Sequence, residues 1–270
     1  MNISYLKHLT KLAIRSDYRE PYSRTKELER IKNAPRYTHL STNLLDLPLN
    51  LIDSLSFYYS YLEIFQKEIY AFKTNENYPF IIDCGSNIGL SIIYFKQLYP
   101  KSRILGFEAD PSVFQVLQSN ILSFGLDNVS LINKAVWSSE TFLEFKIEGA
   151  DAGRVARDIE LDKEEHIQVP TVRLHNYLDQ TVDFLKLDIE GAEIDVILDC
   201  SRHLKNVENI FVEYHSFVGE EQRLDELICV LKKSKFRIQI QTQFCSSQPL
   251  LNQQKQLGMD LQLNIFGYRD

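Results

Sequence analysis

This 270-residue chain lacks any run of about 18 or more apolar residues, the length a membrane-spanning helix needs. The uninterrupted apolar core expected of a secretory signal is missing as well: the opening "MNISYLKHLTKLAIRSDYRE" interrupts its apolar part with charges. A basic face is missing too. Lys and Arg number 30 against 37 Asp and Glu, which leaves a formal charge of -7 and a pI near 5.5. Nucleic acid is therefore a poor partner, and a phosphate-rich ligand would need a local site of its own. The four cysteines, Cys84, Cys200, Cys229 and Cys245, lie far apart and show no metal-type spacing. They read as reduced, mostly buried thiols of a cytoplasmic protein. Low-complexity sequence is absent, so disorder is not the default. What is present is 44% hydrophobic and 11% aromatic residues, enough for a large core.

The first 45 or so residues are polar and carry one short charged helix between Pro21 and Pro35. Beyond Pro48, Leu51, Leu55, Tyr58, Leu62, Phe65, Ile69 and Phe72 recur at spacings of four and three, the stripe of one amphipathic helix. Such a stripe docks on its own domain or forms the seam of a homodimer. From Phe80 onward short apolar runs alternate with helical patterns: "FIIDC", "RILGFE", "VSLINKAVW", "FLKLDI" and "NIFVEYH" read as strands. "PSVFQVLQSNILSFG" between them is a helix opened by Pro111 and stopped by Gly125. The alternation predicts an α/β domain over residues 78–270, with a mostly parallel sheet covered on both faces. Residues 1–77 form a helical N-terminal extension to it. "FRIQIQTQF" and "LQLNIFGYR" close the chain as an antiparallel hairpin. The charged stretch 149–158, with Arg154, is an excursion that serves as a lid over substrate or as a plain surface loop.

"FIIDCGSNIGLSI", residues 80–92, places Asp83 at the end of a strand and two glycines in the following turn. Ligands of open parallel sheets bind at such strand ends. Gly85 permits a tight turn, Gly89 lets the helix approach closely, and the first helix amides attract an anion. In "GFEADP", Glu108 ends the next strand, where a carboxylate can accept both hydroxyls of a ribose. Together these residues describe a nucleoside site. A dinucleotide would set its pyrophosphate against Asp83, like charge on like, and the usual third glycine is missing. S-adenosylmethionine carries an ammonium that suits Asp83 and a carboxylate that suits the helix amides, so electrostatics favours the methyl donor.

"IIDCGSNIGLS", "GFEADP", "LINKAVW" and above all "FLKLDIEGAE" resemble the FkbM-type S-adenosylmethionine-dependent methyltransferases. The resemblance covers residues 79–214, and 51–75 resemble the helix preceding that domain. It implies a Rossmann-like, seven-stranded sheet in the order 3-2-1-4-5-7-6. The implied activity is O-methylation of a hydroxyl, commonly of a sugar in a glycan, or of a secondary metabolite. It assigns Asp83, Gly85, Asn87 and Gly89 to the methionine part of the donor, with Ser86 in the same turn at a variable position. It assigns Glu108 to the ribose, Ala109 and Asp110 to the side of the adenine, and Ala135 and Val136 to its edge.

Methyl transfer to an unactivated hydroxyl needs alignment and a base or a metal. "FLKLDIEGAE" offers Lys186, Asp188 and Glu190, and "FVEYH" offers Glu213 and His215. Either His215 or Asp188 is the general base, or Asp188 and Glu213, with Glu190, hold Mg²⁺ against the hydroxyl. Glu193 reads more plainly as an acid at a helix N-terminus. Glu213, Arg154 and Tyr59 are candidate acceptor contacts, Tyr59 as a face for a sugar ring. A dinucleotide oxidoreductase and a non-catalytic binding protein of the same fold remain as alternatives.

Overall fold

A computed structural model describes the backbone of residues 16–146, 154–155 and 166–269, and the side chains of 23–144 and 167–269. Most of the expected lid and the side chain of Arg154 lie outside the described residues. The chain opens with α1 (Ser16–Lys32), a ribbon of β1 (Leu40–Thr42) and β2 (Leu49–Leu51), and α2 (Ser54–Tyr61). Then come β3 (Phe80–Cys84), α3 (Leu90–Leu98), β4 (Arg103–Phe107), α4 (Pro111–Ser123) and β5 (Val129–Ile132). A side sheet contains β6 (Ala135–Trp137), β7 (Phe142–Lys146), β8 (Arg154–Val155) and β9 (His166–Arg173). The main body closes with β10 (Val182–Leu187), α5 (Glu193–Cys200), β11 (Val207–Phe217), α6 (Leu224–Lys233), β12 (Arg237–Cys245) and β13 (Met259–Tyr268).

The main sheet has seven strands in the order β12-β13-β11-β10-β3-β4-β5. Five of these pair in parallel, and β13 runs antiparallel to β11 and β12, so the chain does end in a hairpin. The chain moves outward from β3 through β4 to β5, then returns to lay β10 on the other side of β3. The carboxyl ends of β3 and β10 therefore flank the point where strand order reverses, the place where such sheets open a crevice. Both faces of β3 are buried: Ile82 and Cys84 join one core, Ile81 the other. That explains why "FIIDC" is continuously apolar up to Asp83 rather than alternating. Among the described residues no helix is long and apolar enough to cross a membrane.

The stretch "VSLINKAVW" is not one strand. It breaks at Asn133–Lys134, leaving β5 in the main sheet and passing β6 to the side sheet. The side sheet also recruits β9, unmarked by sequence pattern because its partners are distant in the chain. The cysteines divide evenly, with Cys84 and Cys200 buried and Cys229 and Cys245 exposed.

The expected apolar stripe of residues 51–72 is displaced. Leu51 belongs to β2, the α-helix ends at Tyr61, and Leu62–Gln66 form a π-turn closed by Lys67 N–H donating to the Leu62 carbonyl at 2.9 Å. Between Ser54 and Gln66 the buried apolar positions are Phe57, Tyr61 and Ile64, while Leu55 and Tyr58 are half-buried. A π-turn inserts one residue into the helical repeat, so a stripe drawn through it with one period lands on the wrong face. Phe57, Tyr61, Ile64 and Tyr70 share a core with Ile81, Ile92 and Phe95, so this segment is packed into the sheet domain. Asn120 ties it in further: its side chain donates to the Asn50 and Ile88 carbonyls and accepts from the Asn50 amide.

Candidate active site

At the switch point lies a cavity of about 810 Å³. One wall is the turn after β3 with Glu108, Ala109, Asp110, Ala135 and Val136; the opposite wall carries Asp188, Glu190, Glu213 and His215. The two walls meet where the Asp188 amide donates to the Cys84 carbonyl at 3.2 Å. Gly85 is obligatory there. Its φ is +82°, and a Cβ at that position would lie 1.8 Å from the Asp188 carbonyl oxygen.

Backbone amides of the turn are already committed. Gly85 and Ser86 donate to the Phe107 carbonyl at 3.0 and 2.8 Å, Asn87 to Glu108 at 2.9 Å, Ile88 to the Asn87 side chain at 2.6 Å, and Gly89 to the Ser86 carbonyl at 2.9 Å. None of these is left for an anion, whether a pyrophosphate or the donor carboxylate expected at the helix amides. Glu108 also accepts from the Asp110 amide at 2.9 Å. Burial pushes its carboxyl up to about 7, against the two amides that favour the charged form. Asn133, which sequence reasoning passed over, donates to the carbonyls of Glu108 and Ala109 at 2.8 and 3.0 Å and holds that turn in place. Asp110 is buried and caps α4 by accepting from the Ser112 and Val113 amides.

Asp83 departs from its expected place: it is fully buried and does not line the cavity. One oxygen accepts from the Ser91 hydroxyl at 2.6 Å, and the other lies 3.3 Å from the Lys186 ammonium. Lys186, also buried, donates to the Gly85 carbonyl at 2.8 Å and lies 3.2 Å from Asp188. Burial opposes its charge, but Asp188 and Asp83 outweigh that and hold the ammonium well above the ordinary lysine range. The cause is steric: the turn folds back on Asp83, with the Ser86 hydroxyl donating to its carbonyl, and its charge is met by Lys186.

His215 is buried, with Nδ1 3.0 Å from Glu193 and Nε2 3.7 Å from Glu190. Burial disfavours the imidazolium, yet Glu190, Glu193 and Glu213 together raise the histidine well above its usual range. The acids around it favour the protonated ring, a form that cannot accept a proton, and this weighs against His215 as the general base. Glu193 is no mere helix-end acid: it is buried and accepts from the Ile189 and Gly191 amides as well as facing His215. Glu190, by contrast, sits in the turn after β10 at φ +55°, in the left-handed region. Glu213 accepts from Gln262 at 2.5 Å, and burial plus the Asp188 carboxylate raise it well above the carboxylate range. Tyr59, expected from sequence, is exposed at the rim.

The surrounding carboxylates therefore favour the imidazolium form of His215. Its charge stabilises the fold fully below the unfolded value near 6.5, and the contribution is lost only as pH rises through the higher folded value. Nitrogen-15 NMR of the histidine rings checks this. Glu193→Gln is expected to move the titration down, and a neutral His215 ring at pH 7 would contradict the assignment.

The sequence profile of the methyltransferase FkbM domain matches residues 83–238. The chain belongs to the FkbM methyltransferase family. As an FkbM methyltransferase it is an S-adenosylmethionine-dependent enzyme, and the dinucleotide oxidoreductase alternative falls. Its relatives include methyltransferase sdnD of Sordaria araneosa, 28% identical over 220 residues, spanning 65% of this chain and 85% of that protein. The 2-O-methyltransferase NoeI of Sinorhizobium fredii is 26% identical over 155 residues, 50% of this chain and 63% of that protein. The crystal structure of the FkbM methyltransferase from Methylobacillus flagellatus superposes with a TM-score of 0.49 at 13% identity, over 93% of this chain and 59% of that one.

Proposed function

We propose that this FkbM methyltransferase transfers the methyl group to a hydroxyl of a sugar, in a glycan or a glycosylated metabolite. The observation that carries the reading is the chemistry of the wall facing the donor turn. Glu63, Glu213, Gln243, Gln256 and Gln262 line it, with the Tyr59 ring at its rim. Carboxylates and amides at this density suit a ligand that presents many hydroxyls, and an aromatic rim suits a sugar face. The relative named a 2-O-methyltransferase supports oxygen as the atom methylated.

In this reading the turn at Gly85, Ser86, Asn87 and Gly89 seats the methionine part of S-adenosylmethionine. Glu108 takes the ribose hydroxyls on its remaining lone pairs, and Ala109, Asp110, Ala135 and Val136 enclose the adenine. The acceptor oxygen attacks the methyl carbon in line as the carbon–sulfur bond breaks, and its proton passes to the carboxylate of Asp188, held at the cavity wall 3.2 Å from the Lys186 ammonium. Glu213, which burial and Asp188 push toward its neutral form, offers the acceptor a hydrogen bond instead. His215, fixed by Glu193, presents a positive edge toward Glu190 and Glu213 and keeps them oriented.

A divalent cation fits this donor set poorly. The atoms that converge within 4.8 Å are those of Asp188, Glu213 and His215, without Glu190, so the set is not the all-oxygen one a hard cation prefers. The Lys186 ammonium 3.2 Å from Asp188 already supplies the opposing charge, and His215 would have to lose its proton first.

Transfer of tritium from methyl-labelled S-adenosylmethionine to free methyl hexosides tests the proposal. Label in the hexoside oxygen is the expected result, and label in carbon or nitrogen of an acceptor would overturn it. The Glu108 assignment has its own pH signature. Only the carboxylate accepts from two hydroxyls, so S-adenosylhomocysteine binding is full above about pH 8. It weakens roughly tenfold by about pH 6, as the group protonates through its raised value. Calorimetric titration at those pH values measures it, and a flat profile would remove Glu108 from the ribose.

A further inference from the structure

Two backbone irregularities face each other across the acceptor side of the cavity. The first is the π-turn Leu62–Gln66, which carries Glu63. The second is a bulge in β12: Thr242 pairs with Leu263 and Phe244 with Gln262, so Gln243 has no partner across the ladder. Both features interrupt otherwise regular elements, and both are devices that re-aim a side chain beside a functional site. Here they aim at one another. Gln243 Nε2 donates to Glu63 Oε1 across 180 positions of sequence, and both residues line the cavity. Glu63 also lies 3.7 Å from Lys67 Nζ and is close enough to Glu213 to contribute to raising that carboxyl.

We propose that Glu63 and Gln243 determine acceptor specificity by gripping a second hydroxyl, adjacent to the one methylated. This rests on the acceptor reading above and assigns the residues that would enforce it. The resting pair has the polarity a hydroxyl needs, because a hydroxyl can donate to the carboxylate and accept from the amide at once. Inserting between them replaces one hydrogen bond by two of the same sense. A matching pair, Gln262 donating to Glu213, stands nearer the reacting centre. The acceptor class that satisfies both pairs is a ring with a free vicinal diol. The arrangement also gives the N-terminal segment a role in the reaction, since without Glu63 the second pair is incomplete.

The test uses the full-length enzyme saturated with S-adenosylhomocysteine, and ligand-observed NMR titration of methyl α-D-glucopyranoside, -galactopyranoside and -mannopyranoside. The tightest of these is then compared with its monodeoxy derivatives. The wild type is expected to bind at least one monodeoxy derivative about fivefold or more weakly than the parent. In Glu63→Ala and Gln243→Ala that discrimination should vanish, with S-adenosylhomocysteine affinity unchanged within about twofold. Loss of binding to parent and deoxy probes in equal proportion would mean a merely structural effect and would overturn the assignment. So would failure of every hexoside to bind while the donor product binds normally. Failure of S-adenosylhomocysteine itself to bind the wild type would instead strike the donor site and the proposed function.

Discussion

Gly85→Ala is expected to abolish measurable S-adenosylhomocysteine binding and to lower the unfolding midpoint by roughly 5–15 °C. Two independent costs combine. The turn holds this residue at φ +82°, where a side chain is strained by about 1–3 kcal/mol. The new Cβ would also overlap the Asp188 carbonyl oxygen at 1.8 Å, a backbone atom that cannot rotate away. Overpacking of that kind costs a further 1–3 kcal/mol or so once the chain shifts to relieve it. The shift is what removes binding. Moving β10 away from β3 separates the turn from Asp188, and the donor wall and the catalytic wall lose their common register. Differential scanning calorimetry and titration of the ligand check both halves. A variant with wild-type melting and wild-type affinity would show that the two strand ends do not approach this closely.

Lys186→Met is expected to destabilise the enzyme by about 3–5 kcal/mol, the range for removing one partner of a buried ion pair. Asp83 is fully buried and would keep only the Ser91 hydroxyl bond, while Asp188 would lose its nearest cation. The carbonyl of Gly85 would lose its donor as well. Because Asp83 is the more deeply buried acid, Lys186→Met combined with Asp83→Asn should recover part of the loss, since the buried carboxylate is gone. Urea unfolding of the single and double variants measures the coupling. If the double variant is as unstable as the sum of the single ones, the lysine is supporting something other than Asp83. At neutral pH the ammonium's contribution is present in full, because it would be lost only as pH rises through its elevated value.

The elements that carry the fold were legible because they are local. Each parallel strand is a short apolar run bounded by turn residues, and each helix between them has its own stripe and stops, Pro111 and Gly125 being the clearest. The turn proposed to seat the donor was legible as a turn for the same reason: a strand end, two glycines and an acid on the next strand all fall within 29 residues of sequence, from Phe80 to Glu108. The misreadings arise where a local signal meets a distant partner. The stripe after Leu51 failed because the π-turn resets the helical phase, and "VSLINKAVW" was split by two sheets competing for one segment.

Periodicity and turn residues were enough for an α/β domain with a glycine turn at the end of its first sheet strand, because burial on both faces and turn geometry leave marks on neighbouring residues. Only three-dimensional packing settled the charges. Asp83 is sealed under the turn because Lys186, 103 positions later, lies one strand away. His215 is drawn toward its protonated form because Glu190 and Glu193 from the preceding loop and helix close on it. Field and desolvation depend on distance through space, and no pattern along the chain records them.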